Sequence, residues 1–210
     1  PQFCRLLASG AIGPLTGITL ISEGGDGDDV AGRPMPEDAG TNLAYVYETV
    51  MHDIIIAHSL TERSAVVDVR VDSVFASHAR PQLDAVLEHA CGLHTHVRWD
   101  GSPGVPFRRV VRLQGQLGAA TWLARKGSSE TTVQDADGER ALALEQDGPG
   151  DQVGAVVHRL MAMLGGEPPA HDLDDAATIQ EGARRLIDAV AHRLSIDVDE
   201  TVVFGADDLG

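Results

Sequence analysis

The stretch Val67-Asp-Val-Arg-Val-Asp72 alternates between valine and a charged residue. Successive side chains of a β-strand point to opposite faces of its sheet, so this alternation predicts a strand with valines on a buried face and charges on a solvated one. The aliphatic segment Thr16–Ser22 predicts a second strand nearer the amino end. The fold is therefore expected to contain a sheet with one face toward water.

Short segments after residue 92 extend the sheet. Turn signals such as Asp137-Gly138 separate them, and their even spacing predicts an antiparallel meander. The predicted strands of the meander are Leu93–Trp99, Arg109–Gln116, Thr121–Arg125, Thr131–Gln134 and Arg140–Glu145. One more strand, Thr201–Phe204, is predicted near the carboxyl end.

Four segments carry apolar residues at helical spacing. The predicted helices run from Thr41 or Asn42 to near Ser59, from Pro81 to Gly92, over residues 153–164 and from Asp174 to Arg193. Proline in a first turn and glycine after a last turn are typical of helix ends, which favours the second of these helices. The expected class is α+β, a mostly antiparallel sheet with about four helices layered on it.

The amino-terminal part differs from the rest in composition. Residues 1–22 are aliphatic and interrupted by glycine, and the following segment up to residue 40 is acidic and rich in glycine and proline. We therefore predict an extended arm and linker over residues 1–40, followed by a single α+β domain over residues 41–210. An arm with this much apolar surface is expected to pack on another subunit.

Charge and cysteine content narrow the possible partners. The chain has 210 residues with 32 acidic and 16 basic side chains, a net charge of −16. Such a field repels nucleic acid and anionic membranes, so neither is an expected partner. Cys4 and Cys91 are too few for a disulfide framework, which indicates a reduced, cytoplasmic setting. No apolar run is long enough to cross a bilayer, and a soluble protein is expected.

The segment from His89 to His96 is the strongest candidate for a metal site. It holds four residues of ligand type, namely His89, Cys91, His94 and His96. On a strand, His94 and His96 share one face and both imidazoles could reach one zinc or other divalent ion. His89 and Cys91 would stand at the end of the preceding predicted helix. The alternative is that the two strand histidines simply face solvent.

Two pairs on the first predicted helix have the spacing of acid–base partners. Glu48 lies four residues before His52, and His58 lies four residues before Glu62. A carboxylate one turn away can fix the tautomer of a histidine that transfers a proton. The same spacing also occurs on helix faces that merely contact water.

Asp68 and Asp72 share the polar face of their strand, an arrangement that can hold a divalent ion for phosphoryl transfer or that simply faces water. The sequence contains no nucleophile-elbow motif, phosphate loop, dinucleotide fingerprint or zinc-protease motif.

These features favour a non-enzymatic structural or adaptor subunit of a larger homo-oligomeric assembly, such as a virion connector or a secretion-machine component. Arms and terminal strands of the predicted kind often complete the sheet of a neighbouring subunit. The expected partners are further copies and other protein subunits, with no cofactor and no small-molecule substrate, in the cytoplasm or in a virion. The alternatives are a metal-dependent enzyme centred on His94 and His96, or a chaperone-like module that binds proteins.

Overall fold

In a computed structural model the chain forms one large sheet and two long helices. The described residues are 6–7, 9–24, 39–77, 80–101, 105–125, 128–141 and 173–194. The helices are α1 (Ala39–Leu60) and α2 (Leu173–Leu194). The strands are β1 (Leu15–Glu23), β2 (Val66–Ser77), β3 (Arg80–His89), β4 (His94–Asp100), β5 (Arg108–Gly115), β6 (Ala119–Arg125), β7 (Ser128–Asp135) and β8 (Gly138–Ala141).

The eight strands form a mixed sheet in the order β2-β3-β4-β1-β5-β6-β7-β8. Strand β1 runs parallel to β4 and antiparallel to β5, and the other neighbours are antiparallel. The expected class, a mostly antiparallel sheet with about four helices, is therefore wrong: the sheet is mixed, and the described part of the chain holds two helices. The predicted helix at residues 153–164 and the predicted strand at 201–204 lie outside the described residues.

The helix predicted between Pro81 and Gly92 is in fact β3 followed by a turn. Leu83, Ala85 and Leu87 are almost completely buried, as alternate residues of a strand are on the covered face of a sheet. Val86 is also buried, but it points to the opposite face. With Val86 included, the apolar residues fit the 3.6-residue repeat of a helix as well as the two-residue repeat of a strand. The helix prediction was therefore wrong.

Strand β1 lies inside the sheet, where the sequence had predicted part of an extended arm. Its Ile18 and Leu20, together with Ile12 just before it, are buried in this chain's own core. The expectation that residues 1–22 pack on another subunit is wrong for the described residues of this segment, because their apolar side chains are covered within the chain.

Both helices cover the same face of the sheet, and the core lies between them and the strands. The predicted stripe of α2 is confirmed, since Ile179, Ala183 and Leu186 are buried against that face. At one end of the interface between the helices, the Asp175 carboxylate contacts His58 Nε2 at 3.0 Å and Arg63 at 3.1 Å. The other face of the sheet is not covered by α1 or α2. None of the described helices is long and apolar enough to span a membrane.

Gly115 closes β5 against the segment that leads into β1. A Cβ atom at Gly115 would lie 2.1 Å from the carbonyl oxygen of Ile12, and backbone cannot yield as a side chain can. We expect Gly115→Ala to lower the free energy of unfolding by about 1–3 kcal/mol, the usual range for overpacking. Urea denaturation measures this change. Gly17→Ala is the matched control, because nothing lies within 4 Å of its Cβ position; equal losses in both variants would contradict the close approach at Gly115.

Candidate active site

Polar side chains collect at the end of the sheet where β1 and β4 both finish. Because these two strands are parallel, their carboxyl ends meet at one edge, and β5 begins at the same edge. In open α/β sheets, ligands bind in the crevice outside the carboxyl ends of parallel strands. This edge is therefore a candidate functional site.

The centre of this edge is a group of three residues, Ser22, Asp53 and Arg109, which we call the carboxyl-end cluster. Asp53 projects from α1, is fully buried, and forms an ion pair with Arg109 through its Oδ1. The Ser22 hydroxyl donates to Asp53 Oδ2 at 3.5 Å. The register of the sheet places Ser22 between Arg109 and the buried Trp99. The two residues that contact the Asp53 carboxylate, Ser22 and Arg109, are therefore direct neighbours on adjacent strands.

Burial raises the pKa of the Asp53 carboxyl, while the charge and hydrogen bond of Arg109 oppose this shift. The Arg109 side chain is 21% exposed, so it reaches from the buried carboxylate toward solvent. Among the described residues, Arg109 Nε is buried without a hydrogen-bond partner. A guanidinium that is held on one side by Asp53 and partly exposed on the other is suited to bind a carboxylate, carbonyl or hydroxyl oxygen of a ligand.

The buried pair makes a prediction about stability. Arg109→Leu leaves Asp53 buried without its partner, and we expect it to reduce the free energy of unfolding by about 3–5 kcal/mol. The double variant Asp53→Leu with Arg109→Leu should recover most of this loss, because no lone charge then stays in the interior. Urea denaturation of the three proteins measures the effect. A double variant as unstable as Arg109→Leu would show that the loss comes from packing.

His52 precedes Asp53 on α1 and lies at the exposed side of the carboxyl-end cluster. The two residues are consecutive in α1, and a positive charge on His52 would oppose the rise in the pKa of the Asp53 carboxyl. Glu48 lies one turn earlier in the same helix, and its side chain lies outside the described residues. Of the two predicted acid–base pairs, Glu48–His52 is therefore the one whose histidine lies at this edge. His58 is instead buried near the other end of α1, against Asp175.

Two more polar contacts border the same edge. Arg108 donates to Glu23 at 3.3 Å, and Gln82 donates to Asp100 at 2.8 Å. Arg108, Glu23 and Asp100 are end residues of their strands, and Gln82 is the third residue of β3, so this edge is bordered by charged and hydrogen-bonded side chains.

The predicted metal cluster is not brought together as a group of four. His94 and His96 are exposed on the uncovered face of the sheet, and Cys91 is exposed in the turn after β3. His89 lies on the covered face, where its Nε2 is 2.8 Å from Thr95 Oγ1 and its Nδ1 is 3.4 Å from the Ser64 carbonyl oxygen. The sheet therefore separates His89 from the two strand histidines.

His89 makes the stability of the fold depend on pH. Burial lowers its pKa below the ordinary 6.5, so the unfolded chain binds this proton more readily than the folded one. The stabilisation is complete above pH 6.5 and is lost as the pH falls below it. We expect His89→Gln to be less stable at neutral pH but to lose less stability on acidification than the parent. Urea denaturation on both sides of pH 6.5 measures this; the exposed His94→Gln should keep the parent's pH dependence, and an unchanged slope in His89→Gln would contradict the assignment.

A cavity of about 640 Å³ opens at the opposite end of the sheet, where Leu15 and Leu93 begin β1 and precede β4. Its lining is mainly aliphatic, and Glu62 and Cys91 are the ionisable side chains among its lining residues. The carboxyl-end cluster offers more groups for acid–base chemistry.

Comparison with known proteins identifies a fold. No family model matches the sequence, and no curated protein is similar to it. Solved structures do share the fold, and they include a dehydrogenase, an oxidoreductase and a reductase.

Three examples illustrate the likeness. UDP-N-acetylglucosamine 3-dehydrogenase from Acidithiobacillus ferrooxidans is 16% identical, with a TM-score of 0.65 over 90% of this chain and 57% of that one. Biliverdin reductase from Synechocystis, in complex with biliverdin and NADP+, is 14% identical, with a TM-score of 0.65 over 90% and 58%. An oxidoreductase from Agrobacterium radiobacter, with NAD+, L-tartaric acid and magnesium, is 18% identical, with a TM-score of 0.62 over 90% and 58%.

The chain thus spans less than three fifths of the length of these proteins, and identities this low establish the shared fold alone. Even so, they overturn several expectations. The sequence favoured a non-enzymatic structural subunit of a virion or secretion assembly, whereas the proteins with this fold are enzymes. It also favoured no cofactor and no small-molecule substrate, whereas these enzymes are described with NAD+ or NADP+ and with small organic ligands.

The described residues do not themselves fit a dinucleotide. Its pyrophosphate needs a glycine-rich turn between a strand and the amino end of a helix, and the sequence has no such fingerprint. No cofactor-binding role is therefore given to any of these residues.

Proposed function

We propose that this chain belongs to an oxidoreductase and provides the side of the active site that binds and protonates a small hydroxyl- or carbonyl-bearing substrate. The carboxyl-end cluster and His52 form that surface. The observation that supports this most directly is the exposed imidazole of His52 beside the buried Asp53–Arg109 pair, in a fold shared with dehydrogenases and reductases.

His52 is proposed as the catalytic residue. Histidine is the side chain most often used for proton transfer near neutral pH, and α1 holds its backbone rigidly beside the cluster. In an oxidation, His52 would take the proton of the substrate hydroxyl while the hydride on the same carbon passes to a nicotinamide cofactor, to which none of the described residues is assigned. In a reduction, the hydride would come from that cofactor and His52 would return the proton to the carbonyl oxygen.

Arg109 is proposed as the residue that binds the substrate. Its guanidinium is fixed by the buried Asp53, so it is already oriented before a ligand arrives. The partly exposed guanidinium gives it donors for an oxygen of the substrate. Sugar derivatives, hydroxy acids and other oxygen-rich molecules have the groups that such a donor recognises.

The oligomeric state and location belong to the same proposal. We propose that the protein associates with copies of itself and that it lies in the cytoplasm; the small number of cysteines supports the cytoplasmic location. Light scattering of the purified protein tests the association.

Replacement of His52 tests the function. The purified protein is screened with NAD+, NADP+ and their reduced forms against aldoses, polyols, hydroxy acids and the corresponding carbonyl compounds, by nicotinamide absorbance. For an active substrate we expect His52→Asn to lower kcat by a factor on the order of 10² to 10⁴, with little change in KM, because general acid–base catalysis contributes about that much. His192→Asn, an exposed histidine at the end of α2, is the matched control and should keep full activity.

The same experiment can reject the proposal. A His52→Asn protein that folds like the parent, by circular dichroism and melting temperature, and turns over at the parent's rate would exclude His52 as the proton carrier. A folded parent protein that binds none of the compounds of the panel, measured by calorimetry, would contradict the substrate-binding role proposed for this chain.

A further inference from the structure

Three potential metal ligands meet on the uncovered face of the sheet, away from the carboxyl-end cluster. Asp72 of β2, Asp84 of β3 and His96 of β4 each offer a ligand atom, and these atoms all lie within 4.8 Å of one another. Neighbouring strands bring them together: Asp84 lies in register with Ser73, next to Asp72, and His96 lies in register with Val86, two residues after Asp84. The sequence had singled out His96 as a ligand but had paired it with His94.

A β-bulge lies beside these three residues. The register of β2 against β3 shifts between Val71 and Ser73, which leaves Asp72 as the extra residue. A bulge re-aims a side chain within its sheet, and bulges are common next to functional sites. Asp72 therefore adjoins the pair that Ser73 and Asp84 form across the two strands.

Asp84 carries an independent sign of a missing partner. Among the described residues, its Oδ1 is buried and accepts no hydrogen bond. A buried carboxylate oxygen without a partner is costly, and a bound ion is one of the few ways to satisfy it. The unsatisfied oxygen belongs to one of the three residues whose ligand atoms converge.

We propose that Asp72, Asp84 and His96 bind one divalent transition-metal ion of the zinc class. An imidazole nitrogen with two carboxylate oxygens is a typical donor set for such an ion, with water in the open position. Ligands of one zinc ion lie about 3–4 Å apart, given bonds of about 2.0–2.2 Å, so small side-chain rotations close the site. The ion would join β2, β3 and β4 at the edge of the sheet.

Arg70 competes with a metal ion for the Asp72 carboxylate. Its Nε donates to Asp72 Oδ1 at 2.8 Å, and both side chains are well exposed. An exposed pair of this kind contributes little to stability, so a metal ion can displace the guanidinium. Removal of Arg70 would free one specific ligand, the Asp72 carboxylate. An effect of Arg70 on zinc affinity therefore distinguishes a specific metal site from a general attraction of cations to an acidic surface.

Zinc titration tests the proposal. The full chain, with Cys4→Ser and Cys91→Ser to remove the thiols, is freed of metal with a chelator and titrated with Zn²⁺ in a calorimeter. We expect one equivalent to bind, at least tenfold more weakly in Asp84→Asn and in His96→Ala. Arg70→Ala should bind several times more tightly than the parent. Mg²⁺ should bind at least tenfold more weakly than Zn²⁺, because it prefers oxygen ligands.

Matched controls come from the same strands. Asp68→Asn on β2 and His94→Ala on β4 remove an exposed carboxylate and an exposed imidazole outside the group, and both should bind like the parent. The proposal is wrong if zinc does not saturate at one equivalent, if these controls weaken binding as much as Asp84→Asn and His96→Ala, or if Mg²⁺ binds as well as Zn²⁺. His96→Ala and Arg70→Ala change exposed residues, so the test stands even if Asp84→Asn does not fold. The result is independent of the oxidoreductase assay, which uses residues at another edge.

Discussion

The position of β1 between β4 and β5 is the constraint on which the rest of the structure depends. Because β1 is parallel to β4, the two strands end at the same edge, and their last residues define the crevice where the carboxyl-end cluster lies. Because β1 is antiparallel to β5, Arg109 at the start of β5 stands beside Ser22 at the end of β1. Burial of Ile18 and Leu20 under the helices fixes this register, since a shift by one residue would expose both.

The two faces of the sheet have different chemistry as a consequence. The covered face carries the aliphatic core and a few buried polar groups, each held by a specific partner, such as Asp53 by Arg109 and His89 by Thr95. The uncovered face carries exposed charges and imidazoles, including His94 and His96. Proton transfer is proposed at the edge of the covered face, where a helix presents His52, and metal binding is proposed on the uncovered face.

The sequence predicted an element correctly where its apolar residues fit only one repeat, that of a strand or that of a helix. The alternation of Val69 and Val71 with charged residues marked β2, and the spacing of Ile179 and Ala183 marked α2. The segment after Pro81 was misread because Val86 is apolar on the uncovered face, which gave a strand the spacing of a helix. The amino-terminal strand was recognised, but its place at the centre of the sheet could not be seen from a local pattern.

For the functional residues, the sequence by itself determined which side chains could do chemistry: it singled out Glu48 with His52, and it singled out His96. Tertiary structure alone decided their partners. Asp53 and Arg109 are 56 residues apart, and no spacing rule connects them. Asp72, Asp84 and His96 come from three strands, and they meet because strand order and register place them close together. Periodicity reports the face on which a residue lies, whereas the neighbour across a sheet depends on strand order and register, which long-range packing fixes.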